Sequence, residues 1–235
     1  MPLTDINLPL ATWAFLAALG GLLAVDGVSV PQIMISRPLI SATLGGAIMG
    51  NAAGGMLVGA LLELLSMRHP PYGAAKYPDT GPAGLIAGAA YAEVGGGSLE
   101  GLVAALLVGW VLGWIGAYAG YGRRRINGRL TLASEFLAAD PRRLERRHRL
   151  AIGMDVIRGI LLTGGLLVPA TLLVALIVLI PTTPTGTAIG ATAVVTLLAA
   201  SIGSAARTTA PDVRAWAMVL LGAVMVLTAI WARAW

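Results

Sequence analysis

Five stretches, each about as long as the twenty residues that span a bilayer, carry no charged side chain. They are Ile6–Val25, Gly101–Gly122, Gly159–Ile180, Gly186–Ala206 and Ala215–Ala232. Apolar runs of this length leave few options. In lipid, every backbone N–H and C=O must be satisfied inside the protein, which a helix does within one segment. The fold class expected is therefore all-α, a polytopic helical membrane protein. Composition agrees: 57% of residues are hydrophobic and 11% charged, against about 25% charged in soluble domains. Cysteine is absent, which removes disulfides, thiolate nucleophiles and cysteine metal sites. No basic residue precedes Ile6–Val25 and no short apolar region leads to a cleavage site, so it reads as a mature segment.

A sixth stretch, Pro38–Leu62, is long enough to span but is interrupted. Its middle reads GGAIMGNAAGG, with six glycines between residues 45 and 59. Glycine and Asn are poor material for a continuous helix. Two short helices meeting at Asn51 fit better, as a re-entrant or broken hairpin over about residues 37–67. A seventh stretch, Thr80–Ala92, is too short to span comfortably. Of 31 glycines, 23 lie before residue 130. Irregular backbone at membrane depth is tolerated only where protein or a wet cavity covers it. The organisation expected is a Gly-rich membrane region over 1–122 that lines a solute path, with a polar Pro-rich loop at 68–82. A basic loop follows at 123–151, then a three-helix region over 152–235. GxxxG-like spacings at Gly46–Gly50, Gly50–Gly54, Gly55–Gly59 and Gly116–Gly120 permit close helix approach.

The net charge is +5, and nine of the 16 basic residues fall between Arg123 and Arg149. That clustering is the positive-inside signature of one cytoplasmic loop and needs no nucleic acid. Counted outward from it, the loops around residues 93–100 and 181–185 lie outside, as do both termini. The segment LASEFLAADPRRLERRHRL also mixes leucines and Phe136 with arginines. It reads as a plain linker, or as short amphipathic helices drawn to anionic membrane lipids.

The polar residues inside the apolar first half are the candidate site. Glu63 lies on a helical pattern, where an intramembrane carboxylate costs at least about 2.5 kcal/mol unless it faces a partner or a wet cavity. It either accepts hydroxyls of a polar solute, shares a network with Arg37, or is paired at a helix end. Arg37 precedes Pro38, which suits the first turn of a helix. Asn51, at the hairpin tip, suits either a polar ligand or a turn. Lys76, Tyr77 and Asp79 sit in PPYGAAKYPDTGPAG, among four prolines, and offer a carboxylate, a cation and an aromatic ring. His69 and His148 form no metal-spaced pair, and there is no phosphate-cradling GxxxxGK[ST]. No metal, no cofactor and no catalytic residue is expected on this chain.

The run ISRPLISATLGGAIMGNAAGGMLVGALLELLSM followed by YGAAKYPDTGPAG resembles the membrane-embedded IIC subunit of the mannose/fructose/sorbose family of the bacterial sugar phosphotransferase system. Arg37-Pro38-Leu39, the glycines at 45, 50, 55 and 59, Leu62-Glu63 and Pro78-Asp79 carry the resemblance over residues 20 to 95. It implies a sugar-translocating chain of the bacterial inner membrane, with a homotrimer core and a IID-like membrane subunit. It also implies a cytoplasmic IIB subunit that phosphorylates a hexose-like sugar. Glu63, Asn51 and Asp79 would face that sugar, with Arg37 bracing the hairpin. The phosphorylating residue would lie on another chain. SMRHPPYG is more polar than the resemblance leads one to expect, and the basic segment is arginine-dense. An uncoupled homo-oligomeric transporter or channel, and a non-transport scaffold or regulator, are the competing classes.

Overall fold

The computed structural model describes residues 8–31, 33–67, 77–132, 141–180 and, in part, 183–203. Among the described residues the helices run in order α1 (Leu10–Asp26), α2 (Pro38–Ile48), α3 (Ala52–Ser66), α4 (Thr80–Val94), α5 (Leu99–Leu132) and α6 (Pro141–Val178). There is no strand among the described residues, so the all-α reading holds. Further helical residues occur between 190 and 203. The span expected at Ala215–Ala232 lies outside the described residues, as does part of Gly186–Ala206.

The interrupted stretch is a helical hairpin. At 1.5 Å per residue, α2 is about 16 Å long and α3 about 22 Å, each short of the roughly 30 Å hydrocarbon core. They meet at Met49–Asn51, where Gly50 has φ +88°, a conformation glycine adopts without steric cost. Pro38 opens α2 after Arg37, as the fixed φ of proline favours.

The hairpin packs through glycine. A Cβ on Gly46 would strike the backbone of Gly55, and one on Gly59 would strike Pro38 O. The same faces press onto α4: a Cβ on Gly45 would meet Leu85 O, and one on Gly88 would meet Ala42 O. These contacts replace side-chain volume with backbone proximity, as small residues do between membrane helices.

α4 is the middle of the molecule. It is about 22 Å long, too short to cross alone, and nearly all of its residues are buried. Leu85, Ile86 and Ala89 join Leu16 and Leu23 of α1, Val108 of α5 and Leu167 of α6 in one core. Ala87 and Tyr91 join Ala42 of α2, Val58 and Leu62 of α3 and Ala105 of α5 in another. A polar-ended short helix at membrane depth is thereby covered on every side. α1 lies along α6, with Gly20 against Thr163 and Gly159 against Gly20. The indole N–H of Trp13 donates to Gly164 O at 2.9 Å.

α5 and α6 are long and apolar enough to cross a membrane. At about 51 and 57 Å they exceed the hydrocarbon core. Residues 123–132 and 141–151, read from sequence as part of a loop, are continuations of these two helices. The helical ladder already runs through the apolar segments, and Arg is a good helix former.

Candidate functional site

Two polar assemblies occupy one end of the hairpin. In the first, Arg37 Nη1 donates to Glu63 Oε1 at 2.8 Å, and Leu39 N–H donates to Glu63 Oε2 at 3.4 Å. Leu39 lies in the first turn of α2, so the carboxylate satisfies an otherwise open helix N–H while neutralising the arginine. The two residues come from the open ends of the hairpin, where antiparallel helices bring position 37 opposite 63.

The second assembly is an ion network. Arg158 of α6 donates to Asp79 Oδ2 at 2.5 Å and to Gly116 O at 3.2 Å. Its Nε reaches Asp155 Oδ1 at 3.4 Å. Arg123 of α5 pairs with the same Asp155 oxygen at 2.5 Å, and Ser29, beyond α1, donates to Asp155 Oδ2. Asp155 is fully buried. Two carboxylates and two guanidiniums balance, which is the condition for keeping charge out of water. Gly116 makes room, since a Cβ there would strike Asp79 Cβ. Asp79 N–H donates to Gly113 O at 2.8 Å, which lays residues 77–80 flat along α5. Arg124 holds the neighbouring Tyr77, with Nη2 3.4 Å from the hydroxyl and the guanidinium 5.7 Å from the ring centroid.

Between these assemblies lies a cleft. Pro38, Leu62 and Ser66 of the hairpin form one wall, and Pro78, Thr80 and Gly84 another. Gly109, Trp110 and Gly113 of α5 close the third. Trp110 is 48% exposed and offers an aromatic face. The free volume is about 20 Å³, room for about one water, whereas enclosed ligand sites run to hundreds of Å³.

Of the residues proposed from sequence, Arg37 and Glu63 are brought together, and Tyr77 and Asp79 flank Pro78 of the opposite wall, held by Arg124 and Arg158. Lys76 lies outside the described residues. Asn51 is elsewhere: its side-chain oxygen accepts Gly54 N–H at 2.8 Å and caps α3. Twelve residues of α3 place it about 18 Å from Glu63, so one hexose cannot touch both. Three charged residues and one aromatic escaped the sequence reading. Asp155 and Arg158 stand three apart just before the apolar run Gly159–Ile180, a spacing that puts them on one helix face. Asp26, one residue past an apolar span, accepts the N–H groups of Ile33 at 2.8 Å and Ser36 at 2.9 Å, closing the loop after α1. Trp110 gave no signal apart from being aromatic.

The profile of the family described as the PTS system sorbose-specific IIC component matches residues 8–187. The chain belongs to this family. It is accordingly a membrane-embedded component of a sugar phosphotransferase transporter, which acts on sugar with partner subunits of that system. A solved structure titled "Structure of membrane protein" superposes on this IIC-family chain with a TM-score of 0.66, covering 95% of this chain and 96% of the other at 17% identity. That likeness supports the fold. No curated protein sequence matches the IIC-family chain significantly.

Proposed function

We propose that this IIC-family chain is the sugar-translocating subunit of a mannose-type permease in the bacterial inner membrane, with its arginine-rich end in the cytoplasm. A hexose-like sugar crosses beside the hairpin and is phosphorylated by a separate IIB subunit. A IID-like membrane chain and a homotrimer core complete the assembly.

The observation that carries this reading is the cleft between the broken hairpin and residues 77–80. Next in the chain to its lining residues Pro38, Leu62 and Pro78 stand groups that a sugar needs: a carboxylate for hydroxyls at Glu63, a cation at Arg37 and an aromatic ring at Tyr77, with the ring of Trp110 in the lining itself. Lys76, outside the described residues, is a further candidate contact. Asp79 supplies a second carboxylate, already held by Arg158. Glu63 is the strongest candidate for direct contact, because its Arg37 partner is half exposed and a modest movement frees both for ligand. The room for about one water means that sugar enters by moving the hairpin or the 77–80 segment. Asn51 would meet the sugar at another point on the path.

Copurification from native membranes in mild detergent tests the assembly: a second polytopic chain at one-to-one ratio supports the coupled permease, and this chain alone refutes it. Equilibrium sugar binding to that complex tests the site. Glu63→Gln should weaken binding at least about tenfold, the value of a charge-assisted hydrogen bond of roughly 1.5 kcal/mol. Unchanged affinity in the folded variant would remove Glu63 from the site.

A further inference from the structure

Arg123 of α5 and Asp155 of α6 are paired, so the two antiparallel helices share a level there. The apolar run Gly159–Ile180 begins just past Arg158, and about twenty residues of it already span the hydrocarbon core. The Arg123–Asp155 level is therefore the edge of the hydrocarbon. Beyond it, at 1.5 Å per residue, Arg125 stands about 3 Å out, Arg149 about 9 Å and Arg146 about 13 Å. These heights cover the headgroup layer and the first Debye length, roughly 8 Å, above it.

The residues around this level carry the marks of an interface. Tyr118 and Tyr121 lie just on the apolar side, where aromatic residues gather, and the Arg125 guanidinium sits 4.8 Å from the Tyr121 ring centroid. Ile126 and Leu150 are 50% and 60% exposed at heights of about 4 and 8 Å. Exposed aliphatic side chains next to exposed arginines suit a zone where acyl chains and phosphates meet. From Arg142 to Leu150 the sole acidic residue is Glu145, and Arg149 holds it at 2.6 Å.

We propose that Arg125, Arg146 and Arg149 form a collar that binds anionic phospholipid headgroups and fixes the ends of α5 and α6 at the membrane surface. The test uses the full chain in phosphatidylcholine bilayers carrying spin-labelled phosphatidylglycerol or phosphatidylcholine, with the protein-associated fraction read by electron paramagnetic resonance. The wild type should prefer the anionic lipid by at least about fivefold, which corresponds to one basic residue at an anionic surface, and lose much of that preference in high salt. Arg125→Gln/Arg146→Gln/Arg149→Gln should bring the ratio close to one. The matching lysine triple variant, which retains charge, should keep it. Arg142→Gln/Arg143→Gln, about 18 to 20 Å beyond the edge, should change it little. Equal association of the two lipids with the wild type would overturn the proposal. So would a preference lost in the outer pair and kept in the inner triple variant, since that pattern belongs to a protein partner above the surface.

Discussion

Residues with the same apparent signal in the sequence, a polar side chain inside an apolar run, do different work. Asn51 caps α3, and Glu63 pairs with Arg37 at the open end of the hairpin. The two roles separate by experiment. Asn51→Ala should destabilise the protein by about 1 kcal/mol, with Asp or Ser restoring most of it, as at other N-caps. Thermal unfolding in detergent reads this out, and sugar affinity in the folded fraction should fall much less than for Glu63→Gln. Conversely, the Glu63–Arg37 pair is partly exposed, and such pairs contribute about 1 kcal/mol or less to stability. Glu63→Gln should therefore leave the unfolding midpoint nearly unchanged. A large loss of stability there would make the carboxylate structural first.

At the scale of elements, glycine content marked irregularity, and the structure divides the glycines into two kinds. Gly88 faces Ala42 O so closely that no Cβ fits, whereas Gly165 on α6 has nothing within 4 Å of the same position. Gly88→Ala should force α2 and α4 apart and destabilise by more than about 2 kcal/mol, the scale of overpacking. Gly165→Ala should be neutral or stabilising by up to about 1 kcal/mol, the helix-propensity difference. Paired unfolding curves for the two variants test the assignment. The broken hairpin was legible because glycine and Asn interrupt an apolar run at one place. The extension of α5 and α6 through the arginine segment was not. Charge density was read as loop, while helix propensity and the templates of two long apolar helices favoured helix.

At the scale of the molecule, the buried network ties residues 77–80, α5, α6 and the segment after α1 at one end. Removing one member strands its partner's charge. Arg158→Leu should destabilise by about 3–5 kcal/mol. Asp79→Leu combined with Arg158→Leu should recover a substantial part of that loss, since Asp155 keeps Arg123 and Ser29. A double variant no more stable than Arg158→Leu alone would show that Asp79 and Arg158 are not coupled. Because Pro78 and Thr80 line the cleft, the same variants should also alter sugar affinity, which links the network to the site without making Arg158 a ligand.

Helical membrane class, the position of the hairpin and the family were legible from the sequence alone. Each rests on local quantities: apolar run length against bilayer thickness, glycine and proline placement, and an ordered set of short motifs. The pairing of Glu63 with Arg37 was visible as one of several options, because both flank the same hairpin. Only the tertiary structure decided that Asp79 belongs to Arg158, 79 positions along the chain, and that α4 is the shared wall of two cores. Ion-pair choice and burial depend on which helices cross and at what height. Those quantities are set by glycine contacts between backbones, and a linear pattern of charges carries no record of them.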